Sequence, residues 1–279
     1  MGVTGSNIFS PQMGFAGRLR RVLPIILLLC SQGLVPVIAA EQQRPEPLMV
    51  AVAANFAGPG QRLADIFTEG SGVPVELIVG ATGLLHAQIV QGAPFDLLLA
   101  ADTQRPLALQ KEGLSADGSY GVYALGRLAL WVPGADRSPD PLTLLAEVSV
   151  LAHANPRLAP YGAAAAAVAQ RVPVSPADRR VVLGQNVAAT FTQVASGAVP
   201  AGLVAYSQLL AASIPIREYS LIPASWHPPI AQALVLTRRG GARSEAWDFQ
   251  RFLLSEQAGQ LLLAMGYRGP ETGGGGRGD

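Results

Sequence analysis

The sequence is poor in the groups on which most protein chemistry depends. Only 14% of its 279 residues are charged, it has 1 cysteine and 3 histidines, and Lys111 is its single lysine. One cysteine, Cys30, excludes a disulfide framework and a Cys-rich zinc site. His86, His153 and His227 are too widely separated to give a metal-ligand spacing. A formal net charge of +1 with no basic stripe argues against nucleic acid as the main partner. There is no G-x-S-x-G elbow, no P-loop and no Gly-rich dinucleotide turn after the first apolar run. What is abundant is apolar: 49% of the chain is hydrophobic, enough for a sizeable core and too much for wholesale disorder. The length suits one large domain or two of about 100–150 residues.

The ends read as separate from the fold. Residues 1–40 contain Arg18, Arg20 and Arg21 and no acidic residue. An apolar run from Val22 to Leu29 follows, then a polar break, then Val35-Pro36-Val37-Ile38-Ala39-Ala40. This is the plan of a secretory signal peptide, with cleavage after Ala39 or Ala40. The rival reading, a membrane anchor, needs about 20 apolar residues, and this run is shorter. Leu27-Leu28-Leu29-Cys30 resembles a lipoprotein box, but Leu29 is bulky where such boxes carry a small residue, so Cys30 is expected to leave with the signal. Met13 is an alternative start. Three of the 20 basic residues lie in the signal, which leaves 17 against 19 acidic ones and no cysteine. Such a chain is indifferent to an oxidising compartment. Residues 269–279 read as a flexible Gly-rich tail, in which Arg277-Gly278-Asp279 is a chance tripeptide.

Between these ends, apolar runs alternate with helical patterns. Leu48–Ala54, Val73–Val79 and Asp96–Ala101 have strand length, and helical stripes follow the first two at Leu63, Ile66 and Phe67 and at Leu84, Leu85 and Ile89. Strands alternating with helices imply an α/β fold of βαβ units with a mostly parallel sheet covered on both faces. Tyr120–Val132, interrupted by Gly126-Arg127, reads as a strand that leaves one sheet and enters another. Further strands are expected at Val148–His153, Gly202–Ala205, Arg217–Ile222 and Ile230–Thr237. Helices are expected at Leu142–Ala146 and Ala163–Gln170, after a cap at Asn186, after Ser207, and after Ser244 and Ser255.

In such sheets ligands sit beyond the carboxyl ends of the strands, at the N-termini of the following helices. The loops at 54–58, 80–83, 155–162, 184–187 and 205–207 are therefore where chemistry should lie. They contain no catalytic set: Asn55, Thr82, Tyr161 and Ser207 are neutral hydrogen-bonding groups. Neutral donors at converging helix starts can form an anion site without a cation. Each has a plainer reading beside it. Asn55 is equally a helix cap; Gly80-Ala81-Thr82-Gly83 is a common turn composition; Tyr161 suits a packing role. Asp96 and Asp102 read as structural ends of a buried strand, and His86 as a satisfied histidine.

Taken together, Val50-Ala51-Val52-Ala53-Ala54-Asn55-Phe56, Gly80-Ala81-Thr82-Gly83, Ala87-Gln88-Ile89 and Gly92-Ala93-Pro94-Phe95-Asp96 through Ala101-Asp102 resemble the periplasmic molybdate-binding proteins, the solute-binding components of molybdate ABC importers. Gly126-Arg127-Leu128-Ala129-Leu130-Trp131, Asn155-Pro156, Pro160-Tyr161-Gly162, Gly202–Ser207 and Gly266-Tyr267 continue the likeness over about residues 48–268. The resemblance implies a two-lobed periplasmic-binding-protein fold of type II, with mixed, mostly parallel five-stranded sheets and two crossovers. Lobe 1 would comprise 45–127 and 231–268, and lobe 2 would comprise 128–230. It implies that Ala54, Asn55, Thr82, Tyr161 and Val187 hold the oxyanion, with no catalytic residue, no cofactor and no protein–metal bond. A Tyr that contributes a hydroxyl in another branch falls on Ala205, with Tyr206 beside it, and Tyr161 stands in for that donor. The implied partners are molybdate or tungstate and a membrane permease; the implied state is a monomer in the periplasm. Within the same fold, sulfate, thiosulfate or another small anion is the alternative ligand. An enzyme such as a small dehydratase or transferase is a further rival. It would need a carboxylate or His brought into the cleft. An effector domain of a transcription factor lacks the helix-turn-helix that would precede residue 48.

Overall fold

The computed structural model describes residues 45–136, 140–171 and 180–270. The signal peptide expected from sequence and residues 271–279 of the expected tail lie outside them. The described chain builds two five-stranded sheets. The first half supplies β1 (Leu48–Ala53), α1 (Ala57–Ser71), β2 (Val75–Gly80), α2 (Thr82–Val90), β3 (Leu97–Ala100), α3 (Gln104–Lys111) and β4 (Gly121–Gly126). Then come β5 (Leu128–Trp131), α4 (Pro141–Glu147), β6 (Val150–Ala154), α5 (Pro160–Ala169), β7 (Arg180–Gly184), α6 (Val187–Ala195), β8 (Gly202–Ala205), α7 (Tyr206–Ala211) and β9 (Tyr219–Leu221). The chain closes with β10 (Ile230–Leu236), α8 (Arg238–Gly241), α9 (Ser244–Leu253) and α10 (Glu256–Ala264).

The sheets share one plan. The first has the order β2-β1-β3-β10-β4 and the second β7-β6-β8-β5-β9. In the first, β1 pairs parallel with β2 and β3, and β10 runs antiparallel to β3 and β4. In the second, β6 pairs parallel with β7 and β8, and β5 runs antiparallel to β8 and β9. Each sheet thus has a single reversed strand, the sense in which the sheets are mostly parallel. The Tyr120–Val132 segment divides as expected, with β4 in one sheet, β5 in the other and Arg127 between them.

The apolar runs explain the layers. Every residue of β3, β5 and β8 is buried, as strands covered on both faces must be. On one face of the first sheet, Leu63 and Phe67 of α1 and Phe249 and Leu253 of α9 pack on Val50, Val52 and Leu99. Leu85, Ile89 and Leu109 cover the other face. Leu145, Ala165 and Val168 do the same for the second sheet. A fully buried Leu of this kind contributes roughly 1.5–3 kcal/mol.

Punctuation behaves as expected at most ends. Gly72, Gly92 and Gly197 follow helices with positive φ. Asn186 Oδ1 accepts from Ala189 N at 2.8 Å, and Ser255 Oγ accepts from Ala258 N at 3.3 Å. Three expectations fail. Ser207 lies inside α7, where the Gln208 side chain instead accepts from Ala205 N at 3.2 Å. Ser244 is the first residue of α9, not its cap. Arg217 and Glu218 form a 3-10 turn before β9 because Pro215 starts a tight turn there. The edge strand β7 has no counterpart among the strands expected from sequence.

Asp96 is structural, as read from sequence. Its buried carboxylate accepts from Met49 N at 2.9 Å and pairs with Arg239 at 3.0 Å and Arg243 at 2.8 Å. These bonds fasten the entry to β3 onto α8 and the residue that precedes α9. Asp102 accepts from Arg105 N at 2.9 Å and pairs with its guanidinium at 2.7 Å.

Candidate functional site

The strand ends converge on one small cleft. Its walls are Ala53, Ala54 and Asn55 after β1, Gly80, Ala81 and Thr82 after β2, Ala159, Pro160 and Tyr161 at α5, and Asn186 and Val187 at α6. All five site residues named from sequence, Ala54, Asn55, Thr82, Tyr161 and Val187, therefore meet at one place. Ser207, the remaining loop hydroxyl, is not in the wall. It stands behind Asn55, its Oγ 3.4 Å from the Asn55 carbonyl oxygen.

Local sequence explains the convergence. Gly80 precedes α2, and Pro160 occupies the first turn of α5, where its missing N–H costs nothing. Gly162 lets α5 start against the end of β6, since a Cβ there would collide with the Ala154 carbonyl. Thr82, Tyr161 and Val187 thus fall in the first turns of α2, α5 and α6, whose N–H groups precede the intrahelical ladder. The positive ends of three helix dipoles point at one spot.

The side chains differ in what they have left to give. Thr82 Oγ1 accepts from Ala101 N at 3.2 Å, which leaves its hydroxyl hydrogen available to donate. The Tyr161 hydroxyl is buried with no hydrogen-bond partner among the described residues. Burial raises the Tyr161 pKa well above its ordinary value, and Tyr267 and Tyr123 add to the rise. The Arg127 main chain and the Asn55 side chain pull the other way without meeting hydrogen-bond geometry. Tyr161 therefore stays a neutral donor. Asn55 is different, because its Nδ2 already donates to Gln232 Oε1 at 2.8 Å and to the Tyr267 hydroxyl at 3.1 Å. Gln232 and Tyr267 are polar partners of the site that only the fold brings to Asn55. Their distance from Asn55 in sequence left no local signal.

No charged residue lines the cavity. Arg105 lies 3.6 Å from where a Gly83 Cβ would stand, one residue beyond Thr82, and is paired with Asp102. Next to two of the wall residues, Thr82 and Ala159, the chain is bridged directly, since Gly83 N donates to Leu158 O at 2.9 Å. Among the described residues no group of His, Cys, Asp or Glu could hold a metal ion. His86, expected to be satisfied, has a buried Nε2 without a partner among those residues. An uncharged wall of hydroxyls and helix N–H groups can replace the hydration of a small oxyanion. It presents no carboxylate, imidazole or thiol.

Comparison with known proteins places the fold in a family. Residues 48–268 match the family of bacterial extracellular solute-binding proteins. The molybdate-binding protein ModA of Rhodobacter capsulatus is 34% identical over 225 residues, which cover 79% of this chain and 87% of that protein. ModA of Azotobacter vinelandii is 34% identical over 230 residues, covering 79% and 89%. The solved periplasmic molybdate-binding protein of A. vinelandii superposes with a TM-score of 0.76 at 32% identity, covering 80% of this chain and all 100% of that one. The Mycobacterium tuberculosis sulfate-binding protein SubI, at 15% identity and a TM-score of 0.62, shares the fold.

Proposed function

Because this chain belongs to the bacterial extracellular solute-binding protein family, whose members bind solutes and do not transform them, we propose that it binds molybdate and delivers it to an ABC importer. The observation that carries this reading is the cavity at the starts of α2, α5 and α6, walled by neutral groups. We assign its contacts to Ala54, Asn55, Thr82, Tyr161 and Val187.

The chemistry favours a fully deprotonated oxyanion. Oxygens that only accept satisfy donors without needing an acceptor in return. Monohydrogen phosphate carries an O–H, and no carboxylate lines the wall to receive it. Sulfate is smaller, so in a cavity set for molybdate its hydrogen bonds would be too long. Tungstate matches molybdate in size and charge and is expected to bind comparably.

The two sheets correspond to two lobes, 45–127 with 231–268 and 128–230, joined where β4 passes to β5 and β9 to β10. The lobes close on the anion like a hinge, and the closed form is what a membrane permease receives. Export by the N-terminal signal would place the protein in the periplasm as a monomer. Calorimetric titration with molybdate, tungstate, sulfate and phosphate tests the reading. Heat with the first two and none with phosphate is expected; no heat with molybdate overturns it.

A further inference from the structure

Asn55 is held from behind by a clamp that does not reach the cavity. Gln232, fully buried on β10, points inward at a β-bulge, where the pairing with β4 shifts register between Gln232 and Ala233. Bulges of this kind re-aim a side chain. Gln232 Nε2 donates to Ile230 O at 3.0 Å, which fixes the amide orientation and turns Oε1 toward Asn55. The oxygen there must receive an N–H, so Asn55 presents Nδ2 to it at 2.8 Å. The second Nδ2 hydrogen goes to the Tyr267 hydroxyl at 3.1 Å, and that hydroxyl donates back to the Asn55 carbonyl at 2.9 Å.

Tyr267 is itself held firmly. It follows Gly266, whose φ of +91° admits glycine readily, and a Cβ on Gly266 would come within 2.8 Å of Leu210 and 2.9 Å of Tyr206. Its ring meets Phe56 edge-on at 5.6 Å. Ser207, reaching over from α7 of the second sheet, places Oγ 3.4 Å from both the Asn55 carbonyl and the Tyr267 hydroxyl.

Resting on the molybdate reading above, we infer that Gln232 and Tyr267 are positioning residues: they hold Asn55 against the cavity wall with both of its side-chain N–H bonds engaged. The cavity's grip on its anion then depends on two side chains that do not line it. With the Asn55 amide committed, the first loop meets the anion through the placement of its main chain. Removing the clamp lets that loop and its carbonyl rotate.

A double-mutant cycle on the full-length chain tests this, with molybdate titrated by calorimetry and folding followed by thermal unfolding. Tyr267→Phe keeps the ring packing and removes only the hydroxyl. It is expected to weaken molybdate binding about tenfold, the scale of one hydrogen bond. Asn55→Ala should lose a similar factor, and the double variant no more than Asn55→Ala alone, because the two changes break one unit. Gln232→Met, which removes the same anchor from the other side, should behave like Tyr267→Phe and supplies the cycle if that variant folds poorly. Lowered stability with unchanged affinity, or losses that simply add, overturns the inference while leaving the molybdate reading in place. No heat from the unsubstituted protein overturns that reading, and the inference with it.

Discussion

The Tyr161 hydroxyl fills the space that a Cβ on residue 126 would need, so a side chain from the start of α5 requires glycine at the crossover between β4 and β5. Gln232 Nε2 closes the same space from β10, 3.0 Å from that Cβ position. The crossover and the cavity are therefore built against each other.

Gly126→Ala should destabilise the protein by about 1–3 kcal/mol, the usual cost of overpacking, and lower its affinity for molybdate. Tyr161→Phe in the same chain removes the colliding oxygen and should recover much of the stability but not the affinity. Urea unfolding beside calorimetry measures both. Equal stability of Gly126→Ala and the unsubstituted protein would refute the collision.

Thr82 has its acceptor side taken by Ala101 N, so its hydroxyl hydrogen is the part free for the anion. Thr82→Ala is expected to weaken molybdate binding by about 1.5–3 kcal/mol, the range for a hydrogen bond to a charged group. Thr82→Ser keeps the hydroxyl and should stay close to the unsubstituted value. Calorimetric affinities that rank Ala with Ser would remove the hydroxyl from the site.

Asp96 offers the opposite case, a buried charge with no part in binding. Asp96→Ala abandons two guanidinium partners and the Met49 N–H. Breaking a buried pair costs about 3–5 kcal/mol, and the lower end applies because Arg239 is 40% exposed. Denaturant unfolding should show that loss, with molybdate affinity unchanged once the variant is folded.

Acid should weaken the fold through His153. Burial lowers its pKa from the ordinary 6.5, against a smaller opposing effect of its contact with the Ala154 carbonyl at 2.8 Å. The unfolded chain therefore takes up the proton first. Stability from this group is complete above about pH 6.5 and is lost as pH falls toward the depressed folded value. A pH series of unfolding midpoints should show this limb, and His153→Gln should flatten it.

Much of the architecture was legible in the chain because its signals are local. Continuous apolar runs marked β1, β3 and β8, since strands buried on both faces need no alternation. Asn186 and Ser255 announced helix starts by the chemistry of capping. The strand β7 carries no such signal because it is a short edge strand with Val181 44% and Leu183 50% exposed, so its apolar residues do not report burial. Ser207 and Ser244 looked like caps, but the neighbouring Gln208 and the chain path at Arg243 decided otherwise.

By itself, then, the sequence determined the two-sheet α/β pattern, the low charge and the set of neutral loop residues, because hydrophobic period and capping act within a few residues. Only the tertiary structure decided which of those residues are free to donate. Thr82 and Tyr161 keep an unspent hydroxyl hydrogen, whereas Asn55 is tied up by Gln232 and Tyr267. Those partners lie 177 and 212 residues away along the chain, and a hydrogen bond depends on distance in space, which sequence separation does not report.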